Sequence, residues 1–217
     1  MARKRVIFIR PGETEWNKIG RWQGIVSIPI NTVGMKQAQR LAKFVRNVGM
    51  DMIYSSDLRR AKDTATVIAE YTNTKIIYDP RLRERSMGEW QGLTSNEIQQ
   101  WYRADYQKYL ADRLGYVIPG GESQEQVAKR VHACFDEIIA GESETIGIIS
   151  HTTAMRSLLG ELIPDSDANN LSFRNMSVTT IAQQDDGSWK ITQLDDVSHL
   201  EGMPSIFFDT LEIDKLT

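Results

Sequence analysis

Two short apolar runs, each ending abruptly at polar residues, constrain this chain most. Val6 to Ile9 is flanked by charge and gives way at once to Arg10-Pro11-Gly12-Glu13-Thr14. Thr145 to Ile149 is apolar apart from Thr145 and Gly147, and runs into Ser150-His151-Thr152-Thr153. Runs this short, with little polar alternation, read as strands buried on both faces, which is the habit of a parallel sheet. Asp51 to Tyr54 and Lys75 to Tyr78 read as two further short strands.

Helical stripes separate these runs. Gly34 to Val48 carries Met35, Ala38, Leu41, Ala42 and Val45 at helical spacing. Asp57 to Tyr71 carries Leu58, Ala61, Ala65, Ile68 and Ala69, with Ser56 or Asp57 placed to cap it. Ser123 to Ile139 holds Val127, Val131, Phe135 and Ile138 in register, and a last helix follows His151 through Leu162. Val178 to Ala182 and Trp189 to Leu194, joined by Asp185-Asp186-Gly187, give a hairpin signal. The last twenty residues read as irregular. The alternation predicts an α/β fold of three layers, a mostly parallel sheet flanked by helices. With no internal repeat or composition break, residues 1–217 are expected to form one domain.

Glu89 to Pro119 interrupts the alternation. It holds Trp90, Trp101, Tyr102, Tyr106, Tyr109 and Tyr116, and ends at Pro119-Gly120-Gly121. It reads as a largely helical insertion at about residues 89–119, whose rings overhang a site, pack the insertion onto the body, or do both from different faces.

The charge balance, 26 basic against 29 acidic side chains, argues against nucleic acid or an anionic membrane as partner. The one cysteine, Cys134, leaves no intrachain disulfide and reads as core. One cysteine and three scattered histidines do not make a structural zinc site, and no metal is expected. The first apolar run is too short for a signal peptide or a membrane span, so the expected location is cytoplasmic.

Ligands of parallel sheets gather at the C-terminal ends of the strands. Arg10, Glu13 and Asn17 follow the first strand; Ser56, Asp57 and Arg59 follow the second; His151 follows the strand ending at Ile149; Glu84 follows Arg81-Leu82-Arg83. Arg10 and Arg59 aimed at one point suit a phosphoryl dianion, because planar guanidinium forks pair with its oxygens. Asn17 adds a neutral donor. Glu84 is the candidate proton donor to a leaving alkoxide, and His151 the candidate donor to an equatorial oxygen. The plainer readings stay open here: ion-pair arginines, a structural His151, and a Glu84 that caps the local turn or pairs with Arg83. His132 and His199 read as structural or surface residues.

In their order along the chain, these motifs resemble the histidine phosphatases, also called phosphoglycerate-mutase-like proteins. The resemblance rests on Arg10-Pro11-Gly12-Glu13-Thr14 with Trp16-Asn17, Arg21-Trp22-Gln23-Gly24, Pro29 and Gly34. It continues through Tyr54-Ser55-Ser56-Asp57-Leu58, Arg60-Ala61, Thr64-Ala65, Leu82-Arg83-Glu84 and Gly88-Glu89-Trp90-Gln91-Gly92. Pro119-Gly120-Gly121-Glu122-Ser123 and Ser150-His151 complete it. The resemblance implies phosphoryl transfer through a phosphohistidine, with no metal or organic cofactor. It places Arg10, Arg59 and His151 around the phosphate, Asn17 assisting and Glu84 as proton donor. The short insertion and overall length suit the phosphatase branch.

The nucleophilic histidine of that family belongs where this chain has Pro11. Proline has no side-chain lone pair to phosphorylate, removes a backbone N–H and fixes its own φ. It biases Arg10 toward extended backbone, which suits a strand end. Smaller departures are Thr152-Thr153 where glycine often follows the histidine, Ser27 near a usual aspartate, and Ile30-Asn31 where Leu-Thr is common. Four readings follow. The chain is a binder of a small phosphorylated or otherwise anionic metabolite, extending to a regulatory, partner-binding pseudoenzyme. It is a hydrolase working by direct water attack with His151 or Glu84. It is an ordinary phosphatase carrying Pro11 as a substitution. Or it is an acid–base enzyme on another anion, using Glu84 and His151. Homo-oligomer formation is compatible with all four.

Overall fold

A computed structural model describes residues 3–113, 115–164 and 171–203. Most of the C-terminal segment expected to be irregular lies outside the described residues. Six strands form one sheet: β1 (Arg5–Ile9), β2 (Met52–Ser55), β3 (Ile76–Tyr78), β4 (Thr145–Ile149), β5 (Val178–Gln183) and β6 (Trp189–Asp196), in the order β3-β2-β4-β1-β5-β6. The first four in that order run parallel; β5 and β6 are antiparallel additions.

Side-chain alternation along the strands sorts the core into two layers. Ile7, Ile9, Ile53 and Ile149 pack under α2 (Thr32–Val45) and α3 (Arg59–Thr72). Val6, Phe8, Ile146 and Ile148 pack under α6 (Gln124–Ala140) and α7 (Thr152–Leu162). Both helix pairs bury the apolar stripes legible in the sequence. Met35 is an exception: it is 39% exposed, because α2 starts at Thr32 behind an Asn31 cap and this phase turns Gly34 and Ala38 inward.

Register positions the site. Ile9 and Ser55 both lie level with Ile149, so Arg10, Ser56 and Ser150 leave the sheet side by side. Gly34 lets the start of α2 press on the first of these loops: a Cβ there would stand 2.3 Å from the Glu13 carbonyl oxygen.

The expected cap of α3 is not formed. Leu58 is its N-cap without a side-chain bond. Ser56 Oγ accepts the Leu58 N–H at 3.3 Å, outside the helix, while the Asp57 carboxylate receives a bidentate bond from Arg83, both distances 2.6 Å.

The insertion contains α4 (Ser95–Trp101) and α5 (Arg103–Ala111) and has a small core of its own. Trp90 sits at its centre, edge-on to Trp22 and Tyr109 and stacked near Tyr116, with Tyr106 and Tyr102 tilted around it. These rings pack on each other and on Trp22, while Trp101 is 61% exposed. Among the described residues no helix is long and apolar enough to cross a membrane.

Candidate anion-binding site

Arg60 enters the site from the first turn of α3 and is 5% exposed. Its Nε donates to His151 Nδ1 at 3.3 Å, Nη1 to the Val26 carbonyl at 3.1 Å, and Nη2 to the Gly24 carbonyl at 2.8 Å. All three acceptors are neutral. Burial, with the Arg10 charge adding and the Glu84 charge opposing, holds its guanidinium down to about 10.

Arg59 is not in this cluster. Its side chain is 62% exposed and paired with Asp63 one turn along, at 2.7 Å. A helix rotates about 100° per residue, so adjacent arginines face different ways. The signal was present in the sequence: Arg60 and Thr64 flank the apolar stripe of Ala61, Ala65 and Ile68, whereas Arg59 and Asp63 form an i,i+4 ion pair.

His151 follows β4 as the N-cap of α7 and is 3% exposed. Because Arg60 can only donate, Nδ1 is the acceptor and a neutral ring carries its proton on Nε2, which donates to Ser56 Oγ at 2.9 Å. Burial first, then the charges of Arg60, Arg10 and Arg130, drive His151 well below the usual histidine range. Arg10 leaves β1 with its Nη1 bonded to the Phe173 carbonyl, and its charge reaches both Arg60 and His151.

Glu84 closes the other side. Its Oε1 accepts the Arg85 N–H at 2.8 Å and its Oε2 accepts the Thr153 N–H at 3.1 Å, in the first turn of α7. Arg130 of α6 spends all five N–H groups on this region: two on Glu122 (2.8 and 2.9 Å) and three on the carbonyls of Arg81, Arg83 and Glu84 (2.7, 2.7 and 2.9 Å). Buried Arg85 ties the loop to the insertion through the carbonyls of Glu122, Arg113 and Tyr116. No sequence signal beyond Glu122 and Arg130 standing eight apart pointed to this brace.

Asn17 is placed by α1 (Glu15–Lys18), where it and Thr14 form a reciprocal cap; its Oδ1 accepts from Thr14 N and Thr14 Oγ1, both at 3.0 Å. Pro11 is buried, and its carbonyl accepts from Asn175 Nδ2 at 3.0 Å. Among the described residues, no group of three or more His, Cys, Asp or Glu side chains is placed to hold a metal.

The fold and these motifs define a class. The profile of the histidine phosphatase superfamily (branch 1) matches residues 6–197, and the chain belongs to that superfamily. It is 34% identical over 216 residues to a probable phosphoglycerate mutase GpmB of Yersinia pestis, covering 93% of this chain and 97% of the relative. Its fold is similar to a mycobacterial glucosyl-3-phosphoglycerate phosphatase (TM-score 0.80, 28% identity, 89% of this chain and 99% of the other). It is also similar to a histidine-to-alanine mutant of an Entamoeba histolytica phosphoserine phosphatase, solved with phosphoserine (TM-score 0.77, 27% identity, 91% and 99%).

Proposed function

We propose that this chain binds a small phosphomonoester without turning it over through a phosphohistidine. One observation carries the reading: Arg60 is buried, within reach of the Arg10 charge, and bonded only to neutral acceptors. A buried cation hydrogen-bonded to no carboxylate is costly, and the nearby Glu84 charge only partly offsets the burial. An anion placed between Arg10 and Arg60 would remove that cost and take up the His151 Nε2–H, now given to Ser56. Phosphate also suits the relatives, whose names speak of phosphoglycerate, glucosyl-3-phosphoglycerate and phosphoserine.

The local hydrogen bonds argue against a substitute route. The acceptor nitrogen of His151 faces Arg60, so the ring is poised to donate rather than to take a proton from water. Both Glu84 oxygens already accept backbone N–H groups. Pro11 supplies no lone pair at the position the resemblance gives to the nucleophile. Phosphoserine, phosphoglycerate and inorganic phosphate titrated calorimetrically into the protein test the proposal. Saturable binding, weakened about 10- to 100-fold by Arg60→Met and little changed by Arg59→Met, is expected for a lost charge-assisted hydrogen bond. Equal weakening by the two variants, or no binding to the unaltered chain, would refute it.

A further inference from the structure

α6 leads into β4 and α7 leads out of it, so the two helices pack side by side and run the same way. His132 and Glu161 bond across them, 29 residues apart in sequence. The same offset sets Ala128 against Ser157, one turn nearer the helix starts, and Gln124 against Thr153 a turn beyond that. Small residues facing each other do not fill the space between the helices. Gly115, Gln124, Glu125, Ala128 and Ser157 line a cavity of about 310 Å³ there. At about 30 Å³ for each water-sized group, it has room for about ten. Its roof is fixed: Asp112 Oδ1 accepts the Gly115 N–H at 2.8 Å, and Arg85 holds the Arg113 and Tyr116 carbonyls on either side. In the opposite wall Ser157 is 8% exposed, and among the described residues its Oγ finds no hydrogen-bond partner. It does not use the carbonyl one turn back, the usual acceptor for a serine inside a helix. A buried hydroxyl left this way is costly. Two more donors stand at the same end. Ser123 accepts the N–H of Gln126 at its Oγ (3.0 Å) and that of Val127 at its carbonyl (3.2 Å), which leaves the N–H groups of Gln124 and Glu125 with no acceptor inside the helix. The Glu125 carboxylate balances this positive helix end.

We infer that this cavity is a second ligand site, and that it takes a small uncharged polyhydroxy molecule, a polyol or a monosaccharide. An anion would meet the Glu125 carboxylate, and a cation would meet the start of α6. Hydroxyl groups suit every wall. Their O–H groups donate to Glu125 and to the Gln124 amide oxygen, and their lone pairs accept from the Ser157 hydroxyl and the N–H groups of the first turn. A single water would satisfy Ser157 and leave most of the volume unfilled. The cavity lies one turn along α7 from Thr153, whose N–H holds Glu84. It shares no residue with the anion cluster, and the inference does not depend on phosphate binding.

Amide NMR of the full chain in phosphate-free buffer, titrated with glycerol, myo-inositol and glucose, tests this. For at least one of the three, saturable shifts are expected at Gly115, at the start of α6 and at the turn of α7 that holds Ser157. Ser157→Ala should weaken that binding about 5- to 10-fold, as for one lost hydrogen bond. Ala128→Leu should fill the cavity, abolish the shifts and raise the thermal unfolding midpoint. Shifts that never saturate with any of the three would leave water as the only occupant and overturn the inference. Saturable binding that either variant leaves unchanged would also overturn it.

Discussion

Arg60 brings its charge inside the protein, and its neighbours answer with carbonyls and an imidazole rather than a carboxylate. Burial first, and then the Arg60 charge, set the behaviour of His151. Its folded-state pKa lies below its unfolded one, so under acid conditions the unfolded chain binds the extra proton. This contribution to stability is present above about pH 6.5 and is lost as pH falls below it. His199, also lowered by burial, acts in the same direction. Chemical denaturation at pH 7.5 and pH 5.5 should therefore show a loss on acidification, and His151→Gln should make that loss smaller. An unchanged pH dependence in His151→Gln would place the effect elsewhere. Ligand acts oppositely: a dianion beside His151 favours its charged form, so binding below neutrality should take up protons, seen as a buffer-dependent heat. At this scale the sequence was legible only in part. Arg10, His151 and Glu84 could be picked out because each follows a strand or a short turn. Choosing between Arg59 and Arg60 required the phase of a helix, which the Arg59–Asp63 spacing encodes.

At the scale of elements, the loop from Arg81 to Ser86 has little regular structure beyond one short turn and is held by side chains. Arg130 gathers three of its carbonyls, and Glu122 returns an oxygen to the Ser86 N–H at 2.9 Å. Burial works against the Glu122 charge, but the Arg130 bond and the Ser86 N–H outweigh it and hold the carboxyl below its usual range. Arg130→Met should cost about 2 kcal/mol in a denaturation experiment, with Arg130→Lys recovering little, because an ammonium cannot reproduce a five-donor fork. A full rescue by lysine would reduce the brace to simple charge. The insertion is a second such unit. Trp90→Ala removes the ring that its neighbours share and should cost about 3–5 kcal/mol, with faster hydrogen exchange across residues 95–111. Most strands and helices were legible to within two residues, because burial on one or both faces imposes its period on the sequence; α2 ends at Val45, three residues before the expected Val48, and α1 buries no residue and so carries no stripe. The destination of the insertion's rings was not: aromatics at helical spacing look alike whether they face a ligand or one another. The brace was hidden because its acceptors are backbone carbonyls, which every residue has.

For the whole molecule, the parallel strands end level, and so the three loops that carry Arg10, Ser56 and His151 meet at one place. The scaffold can therefore keep this cluster of side chains together while one position in the first loop changes. Pro11 suits that loop: it follows the extended backbone of β1, and its carbonyl is held by Asn175. The account separates binding from chemistry, and its central claim is that only the nucleophile is missing. Phosphate release from a panel of phosphomonoesters, by the unaltered chain and by Pro11→His side by side, tests this most directly. The account predicts no turnover from the chain as it stands and clear turnover from Pro11→His, abolished again by Arg60→Met. Turnover by the unaltered chain that falls when His151 or Glu84 is replaced would contradict it.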